Sequence, residues 1–300
     1  LAISCHVSPD GDALGSALAL GHAARRAGKD VAVSFGGPLV VPQSLAFLDT
    51  SLLVPVSSFP EAPEVMVVFD AGSADRLAEL GVAAASAGTL IVVDHHVTNT
   101  GFGDIAVIDP GAAASAQLCT YLLEALGWEI DEVVATCLLT GIVTDTGRFQ
   151  YSATDGEVMR VAARLLDAGV HPETIGQAVY ESVPFGYLQA SSAVLGRAVL
   201  EEDLSLVWSV VTHADLRSAA VTYDDLDGLI DDLRIAREAG VAVLLKEVDD
   251  GWRVSMRSRG AADVGSIALA HGGGGHHNAA GFTASGTAED VIESIRAGLR

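Results

Sequence analysis

Short uninterrupted apolar runs alternate along this chain with longer stretches in which apolar residues recur every three to four positions. Leu1–His6 reads as a buried strand, Val7–Asp12 as a loop, and Ala13–Ala27 as a helix halted by Gly28. Val31–Phe35, Val65–Phe69 and Leu90–Val93 read as further strands. Ala112–Leu126, Glu132–Thr144 and Asp155–Ala168 carry helical spacing. Strands that are apolar on both faces and separated by helices predict an α/β fold, a mostly parallel sheet flanked by helices. Ligands of such sheets gather beyond the carboxyl ends of the strands, where His6, Asp70 and Asp94 stand.

The texture changes further on. Pro172–Leu200 reads as helical with a break at Pro184-Phe185-Gly186. Ser205–Thr212, Val241–Val248 and Trp252–Arg257 then read as strands, Asp224–Ala239 and Asp290–Leu299 as helices, and Asp249-Asp250-Gly251 as a hairpin turn. The predicted organisation is a larger domain over 1–185, a helical connector over 186–199 and a smaller α/β domain over 200–300.

Composition narrows the partners. Seventeen basic against 39 acidic residues give a formal net charge of −22. A protein that holds long nucleic acid needs a basic surface to displace counterions, so a phosphate-bearing ligand here is expected to be small and held locally, with no long duplex. A bound pair of divalent cations would offset part of the acidity. Cys5, Cys119 and Cys137 lie in apolar surroundings without CxxC spacing, as buried thiols of a reducing compartment do. No apolar run approaches the roughly 18 residues of a membrane span. A cytoplasmic protein without a membrane partner is expected. Leu1 already sits inside a strand pattern, so the chain is expected to continue upstream, where any targeting segment would lie.

Five motifs carry candidate chemistry. His6-Val7-Ser8-Pro9-Asp10-Gly11-Asp12 puts one imidazole and two carboxylates on a strand-to-helix loop, a mixture that suits Mn²⁺ and related ions. The same spacing equally suits Asp10 or Asp12 as a helix N-cap. Asp70 ends the run Val65–Phe69, as a bridging ligand or a capping Asp would. Asp94-His95-His96 ends the next strand: one histidine can ligate a metal while the other faces substrate, with Asp94 orienting an imidazole. Thr144-Asp145-Thr146-Gly147-Arg148 offers Asp145 as a last ligand and Arg148 as a phosphate contact, or only a helix exit. Gly272-Gly273-Gly274-Gly275-His276-His277 exposes backbone N–H groups as an anion nest, and the Ala-rich stretch after it reads as the start of a helix. Upstream, Arg257 and Arg259 fall on one side of a strand end, and their forks match phosphate oxygens.

In this order the motifs resemble the Asp-His-His (DHH) phosphoesterase superfamily with its DHH-associated C-terminal domain. The subgroup they look most like is the nano-RNA exonucleases that also act as phosphatases on 3′-phosphoadenosine 5′-phosphate (pAp), some of which cleave cyclic di-AMP or its linear product pApA. The resemblance spans essentially the whole chain. It implies two divalent cations, most simply Mn²⁺ with Mg²⁺ or Co²⁺ as substitutes. It assigns His6, Asp10 and Asp70 to one cation and Asp12, Asp70, His95 and Asp145 to the other, with Asp70 shared. It places His96 at the scissile phosphate and makes Arg257 with Gly273, Gly274, Gly275 and His276 a substrate clamp, the site lying in the cleft between the domains. His277 stands where a basic residue is common. The resemblance also implies short nucleotide substrates and a homodimer. Three neighbouring readings fit less of the chain. A manganese pyrophosphatase lacks the Gly-Gly-Gly-Gly-His pattern. A RecJ-type exonuclease on longer strands calls for a basic groove with stacking aromatics. A non-catalytic nucleotide sensor has no use for a full ligand set.

Overall fold

The computed structural model describes residues 1–260 and 262–300. They divide into two compact units, Leu1–Ser182 and Val183–Arg300. The first contains β1 (Ala2–Cys5), α1 (Gly11–Arg26), β2 (Ala32–Phe35), β3 (Val65–Phe69), α2 (Gly81–Ser86), β4 (Thr89–Asp94), β5 (Ile105–Ile108), α3 (Ser115–Leu126), α4 (Glu132–Asp145), α5 (Gly156–Asp167) and α6 (Pro172–Tyr180). Its strands run parallel in the order β2-β1-β3-β4-β5. The register pairs Cys5 with Phe69 and Phe69 with Val93. His6, Asp70 and Asp94 therefore leave three adjacent strands at one edge, and the strand order reverses between β1 and β3, the position such sheets use for ligands.

The helix α1 is buried along almost its whole length, with Leu14, Ala17, Leu18 and Ala24 fully inaccessible. A helix enclosed on all sides must lie close to its neighbours, and small residues allow it. A Cβ on Gly15 would stand 2.4 Å from the Cys137 carbonyl oxygen of α4, one on Gly11 would meet the Thr144 side chain at 2.5 Å, and one on Gly141 would meet Ala116 at 2.7 Å. These three positions set the depth at which α4 delivers Asp145. Alanine at position 15 gains helix propensity of about 1 kcal/mol, but the backbone it strikes cannot swing away as a flexible side chain would. Gly15→Ala is expected to destabilise the first unit by about 1–3 kcal/mol and to weaken metal binding, as measured by denaturant titration and metal retention.

The second unit contains α7 (Phe185–Gly196), β6 (Val199–Glu201), β7 (Leu206–Val211), α8 (His213–Ala219), α9 (Leu229–Arg234), β8 (Val241–Val248), β9 (Gly251–Ser258), α10 (Val264–Ala270), β10 (Gly274–His276), β11 (Ala279–Ala284) and α11 (Ala288–Leu299). The sheet order is β10-β11-β9-β8-β7-β6, antiparallel except for β7 with β8. Val243, Met256 and Phe282 pack with α10 and α11, while Ala242 and Leu244 cluster with residues of α7 and α9.

Four segments differ from the sequence reading. Pro172–Leu200 is helical with the break at Pro184 as read, but the helix stops at Gly196 and Val199 opens β6. The connector expected over 186–199 contributes Ala190 and Val194 to the second unit's own core. Asp224–Ala239 is broken into one 3₁₀ turn and the short α9, because Leu226, Leu229, Ile230 and Leu233 already fill the available core and the chain turns at 235–240 towards β8. The Ala-rich stretch after the glycines starts no helix. It is β11, paired with β9 and β10, with Ala280 and Phe282 buried. The Asp249-Asp250 turn joins β8 to β9 as read, Gly251 taking the left-handed φ of 145°.

Candidate metal centre

The loop after β1 begins the site. His6 is 7 % exposed, and its Nδ1 faces the Val7 carbonyl at 2.8 Å. With Nδ1 held there, Nε2 is turned to the carboxylates of Asp70 at 3.5 Å and Asp10 at 3.8 Å. Asp10 caps α1: its Oδ1 accepts from the Asp12 and Ala13 amides, leaving Oδ2 for His6. The capping and ligand readings thus describe two oxygens of one carboxylate.

Asp12 is fully buried in the first turn of α1. Its Oδ2 accepts from the Ser115 amide at 2.6 Å and its Oδ1 from the Ala116 amide at 2.8 Å, so the amino end of α3 orients it. Asp70 occupies the left-handed region at φ 56°, tolerable for Asp. Its Oδ1 accepts from the Ser115 hydroxyl at 3.0 Å and lies 3.5 Å from His95 Nε2, while Oδ2 faces His6. Asp70 therefore stands between the two imidazoles. His95 repeats the arrangement of His6, with Nδ1 on the Ala112 carbonyl at 3.2 Å and Nε2 3.2 Å from Asp145 and 3.9 Å from Asp12.

Donor atoms of His6, Asp10 and Asp70 all lie within 4.8 Å of one another, as do those of Asp12, His95 and Asp145, and those of Asp70, Asp94 and His96. Charge explains why such a set would hold cations. Burial and the facing carboxylates Asp70 and Asp10 push the Asp12 carboxyl well above its ordinary range. Burial, then Asp12, Asp70 and Asp10, does the same to Asp145. Burial alone would lower His6, but its bonds to Asp10 and Asp70 carry it to about 10. Without a cation, protons must fill the cluster. Oxygen and imidazole donors at these spacings fit a pair of divalent ions of the Mn²⁺ or Mg²⁺ kind.

Beside this cluster, Asp94 is fully buried and holds His96 Nδ1 on its Oδ1 at 2.7 Å. Burial would raise the Asp94 carboxyl, yet the His96 and Asn99 hydrogen bonds bring it to about 2. His96 is correspondingly raised: burial opposes its charge, and the Asp94 bond together with the Asp70 and Asp94 charges outweighs that.

Arg148 follows Asp145 in an unusual backbone. Gly147, Arg148 and Phe149 take φ of 54°, 62° and 64° in succession. The Arg148 guanidinium lies 4.6 Å from the Tyr180 ring centroid. Left-handed non-glycine residues cost about 1–2 kcal/mol each, and such strain gathers at functional positions. Arg148→Gly relieves it. The variant is expected to be stabilised by about 1 kcal/mol in denaturant melts while losing substrate affinity. A loss of stability would instead mark the Tyr180 contact as structural.

The remaining candidates lie in the second unit. Arg257 projects from β9 in register with Ala279 and Ala242, with Nη1 donating to the Met256 carbonyl. Arg259 lies past the strand end, and its Nη2 donates to the Arg234 carbonyl at 2.5 Å, a bond that ties the end of α9. Within the glycine run, Gly273 and Gly275 are demanded by backbone packing, since a Cβ would stand 2.2 Å from the Gly281 and 2.4 Å from the Ala279 carbonyl oxygens. Gly274 has open space where a Cβ would be, so nothing in its surroundings requires glycine. His276 pairs across from Ala279, and His277 sits 3.7 Å from Asp263. Ser115, the Ala116 amide and Asn99 escaped the sequence reading. A serine at the predicted start of a helix was the one available signal.

Comparison with known proteins places the chain in a family. Residues 1–142 match the DHH family, N-terminal domain, and residues 205–299 match the DHHA1 domain. The chain is 36% identical over 301 residues to the bifunctional oligoribonuclease and PAP phosphatase NrnA of Thermus thermophilus, covering 98% of this chain and 88% of that protein. It is 26% identical to the Bacillus subtilis protein of the same name, covering 92% and 86%. An exopolyphosphatase-related protein from Bacteroides fragilis superposes with a TM-score of 0.92 at 26% identity, covering 99% of this chain and 91% of the other. The chain belongs to the DHH family, among relatives of the bifunctional oligoribonuclease and PAP phosphatases, and carries a DHHA1 domain.

Proposed function

We propose that this protein is a cytoplasmic phosphoester hydrolase that degrades short oligoribonucleotides and dinucleotides to mononucleotides and removes a phosphate from pAp. One observation carries the reading: carboxylates and imidazoles from three strand ends and two helices converge on His6, Asp70 and His95 with donors 3.2–3.9 Å apart. The names of the relatives supply the substrate class. Among the described residues no helix is long and apolar enough to cross a membrane.

In this proposal His6, Asp10 and Asp70 hold one divalent cation and Asp12, Asp70, His95 and Asp145 the other, Mn²⁺ being the physiological ion. Bound there, the pair supplies Lewis-acid charge at the phosphoryl oxygens and water of lowered pKa. The chain's own groups do the rest. Ser115 keeps Asp70 aimed with one oxygen towards each imidazole. Asp94 takes the Nδ1–H of His96 and stabilises its charged form, so His96 donates a proton from Nε2 to the leaving oxygen. Arg148 holds a non-bridging phosphate oxygen. In the second unit Arg257, Arg259, the backbone of Gly273–Gly275 and His276 are the candidate nucleotide contacts.

The test is a turnover panel with Mn²⁺ across pAp, a diribonucleotide, pApA, cyclic di-AMP, pyrophosphate and a long single strand. Release of phosphate from pAp and of mononucleotides from the dinucleotides is expected. Turnover of pyrophosphate alone, preference for the long strand, or binding without turnover would each overturn the reading.

A further inference from the structure

We infer that Asn99 is a positioning residue that locks the Asp94 carboxylate so that His96 is held in one orientation. The inference rests on the reading of His96 given above. The observation is a chain of bonds outside the metal donors. Asn99 Nδ2 donates to Asp94 Oδ2 at 2.5 Å and to the Ala71 carbonyl at 3.1 Å, and its Oδ1 accepts from the Gly101 amide at 2.7 Å. Both amide protons and the amide oxygen are thereby engaged. The neighbouring backbone follows, with the Thr100 amide donating to the Gly72 carbonyl at 2.9 Å. The loop after β4 is thus pinned to the loop after β3.

Asp94 shows why the amide matters. Its Oδ1 already takes two donors, the His95 amide at 2.8 Å and His96 Nδ1 at 2.7 Å. Asn99 supplies the donor on Oδ2. A carboxylate bonded on one oxygen can still twist about its Cβ–Cγ bond, whereas one bonded on both is fixed in plane. A buried carboxylate oxygen also needs a donor, or its desolvation goes uncompensated. Only an amide can donate to Asp94 and Ala71 while accepting from Gly101. Aspartate at position 99 would keep the Gly101 bond and replace the donor with a like charge.

The experiment separates positioning from loop support. In the Mn²⁺ enzyme, Asn99→Ala and Asn99→Asp are each expected to lower kcat on a dinucleotide about 10–100-fold, the range for groups that orient a site. KM should change less than about twofold, and metal content should stay the same. Asn99→Ala combined with His96→Ala should cost no more than His96→Ala alone, since the effect passes through the imidazole. In the metal-free protein, the His96 Nδ1–H proton resonance is expected to be shifted and slowly exchanging in the parent, and should broaden or vanish in both variants. Near-normal kcat in Asn99→Asp, an additive loss in the double variant, or an unchanged Nδ1–H resonance would overturn the inference. If His96→Ala alone left kcat intact, the role given to His96 would fall, while the resonance would still decide whether Asn99 positions it.

Discussion

Asp70→Asn is expected to reduce turnover by on the order of a thousandfold while leaving the fold intact. Replacing groups that merely orient metal ligands costs 10–100-fold, and Asp70, alone among the described carboxylates, has an oxygen 3.5 Å from each of His6 and His95. Asparagine is the appropriate replacement because it tolerates the left-handed φ of 56° and keeps an oxygen for the Ser115 hydroxyl. It also removes one of the charges that destabilise Asp12 and Asp145. The metal-free variant should therefore be at least as stable as its parent, an activity loss without a stability loss. Denaturant melts in chelator, metal content and single-turnover rates would check this together. Turnover within tenfold of the parent would show that Asp70 is not shared.

Four of the first unit's five strands are legible because they are short buried apolar runs, whereas the exposed β5 carries no such signal. Val65–Phe69 and Ile91–Val93 are apolar on both faces, as strands of a parallel sheet covered by helices are. The residue after such a run falls at the carboxyl end, so the sequence alone puts His6, Asp70 and Asp94 at strand ends. What escaped was tertiary. Ser115 bonds a carboxylate 45 residues away, and the groups that orient Asp12 are two backbone amides that no side-chain pattern announces. The glycine run has a second cause of the same kind: its backbone reads as an anion nest, and Gly273 and Gly275 also answer to the close approach of β11. Ala279–Ala284 has a helix-former's composition, yet β9 and the burial of Phe282 make it a strand, tertiary pairing overriding a weak local preference.

Metal loading should invert the pH dependence of the first unit's stability. In chelator, His6 is raised to about 10 from an unfolded value near 6.5, and His96, Asp12 and Asp145 are raised as well. A raised folded pKa means that the native state binds protons more tightly than the unfolded chain. That contribution is whole below the unfolded pKa and is lost as pH rises through the folded one, so the metal-free protein should weaken steadily from about pH 6.5 to pH 9. Asp94, lowered to about 2, acts oppositely, but only as pH falls below about 4, outside this window. A cation competes for the same lone pairs and displaces those protons, so its apparent affinity should climb over the same interval. At a free Mn²⁺ concentration a hundred times the dissociation constant, binding adds about 2.7 kcal/mol, or about 5–10 °C in Tm for a unit of this size. The Tm difference between Mn²⁺ and chelator should therefore be small at pH 6 and largest near pH 8.5, with proton release detectable by calorimetry in buffers of different ionisation enthalpy. A difference that shrinks with rising pH, or binding without proton release, would mean that the cluster around Asp70 is not where the metal goes.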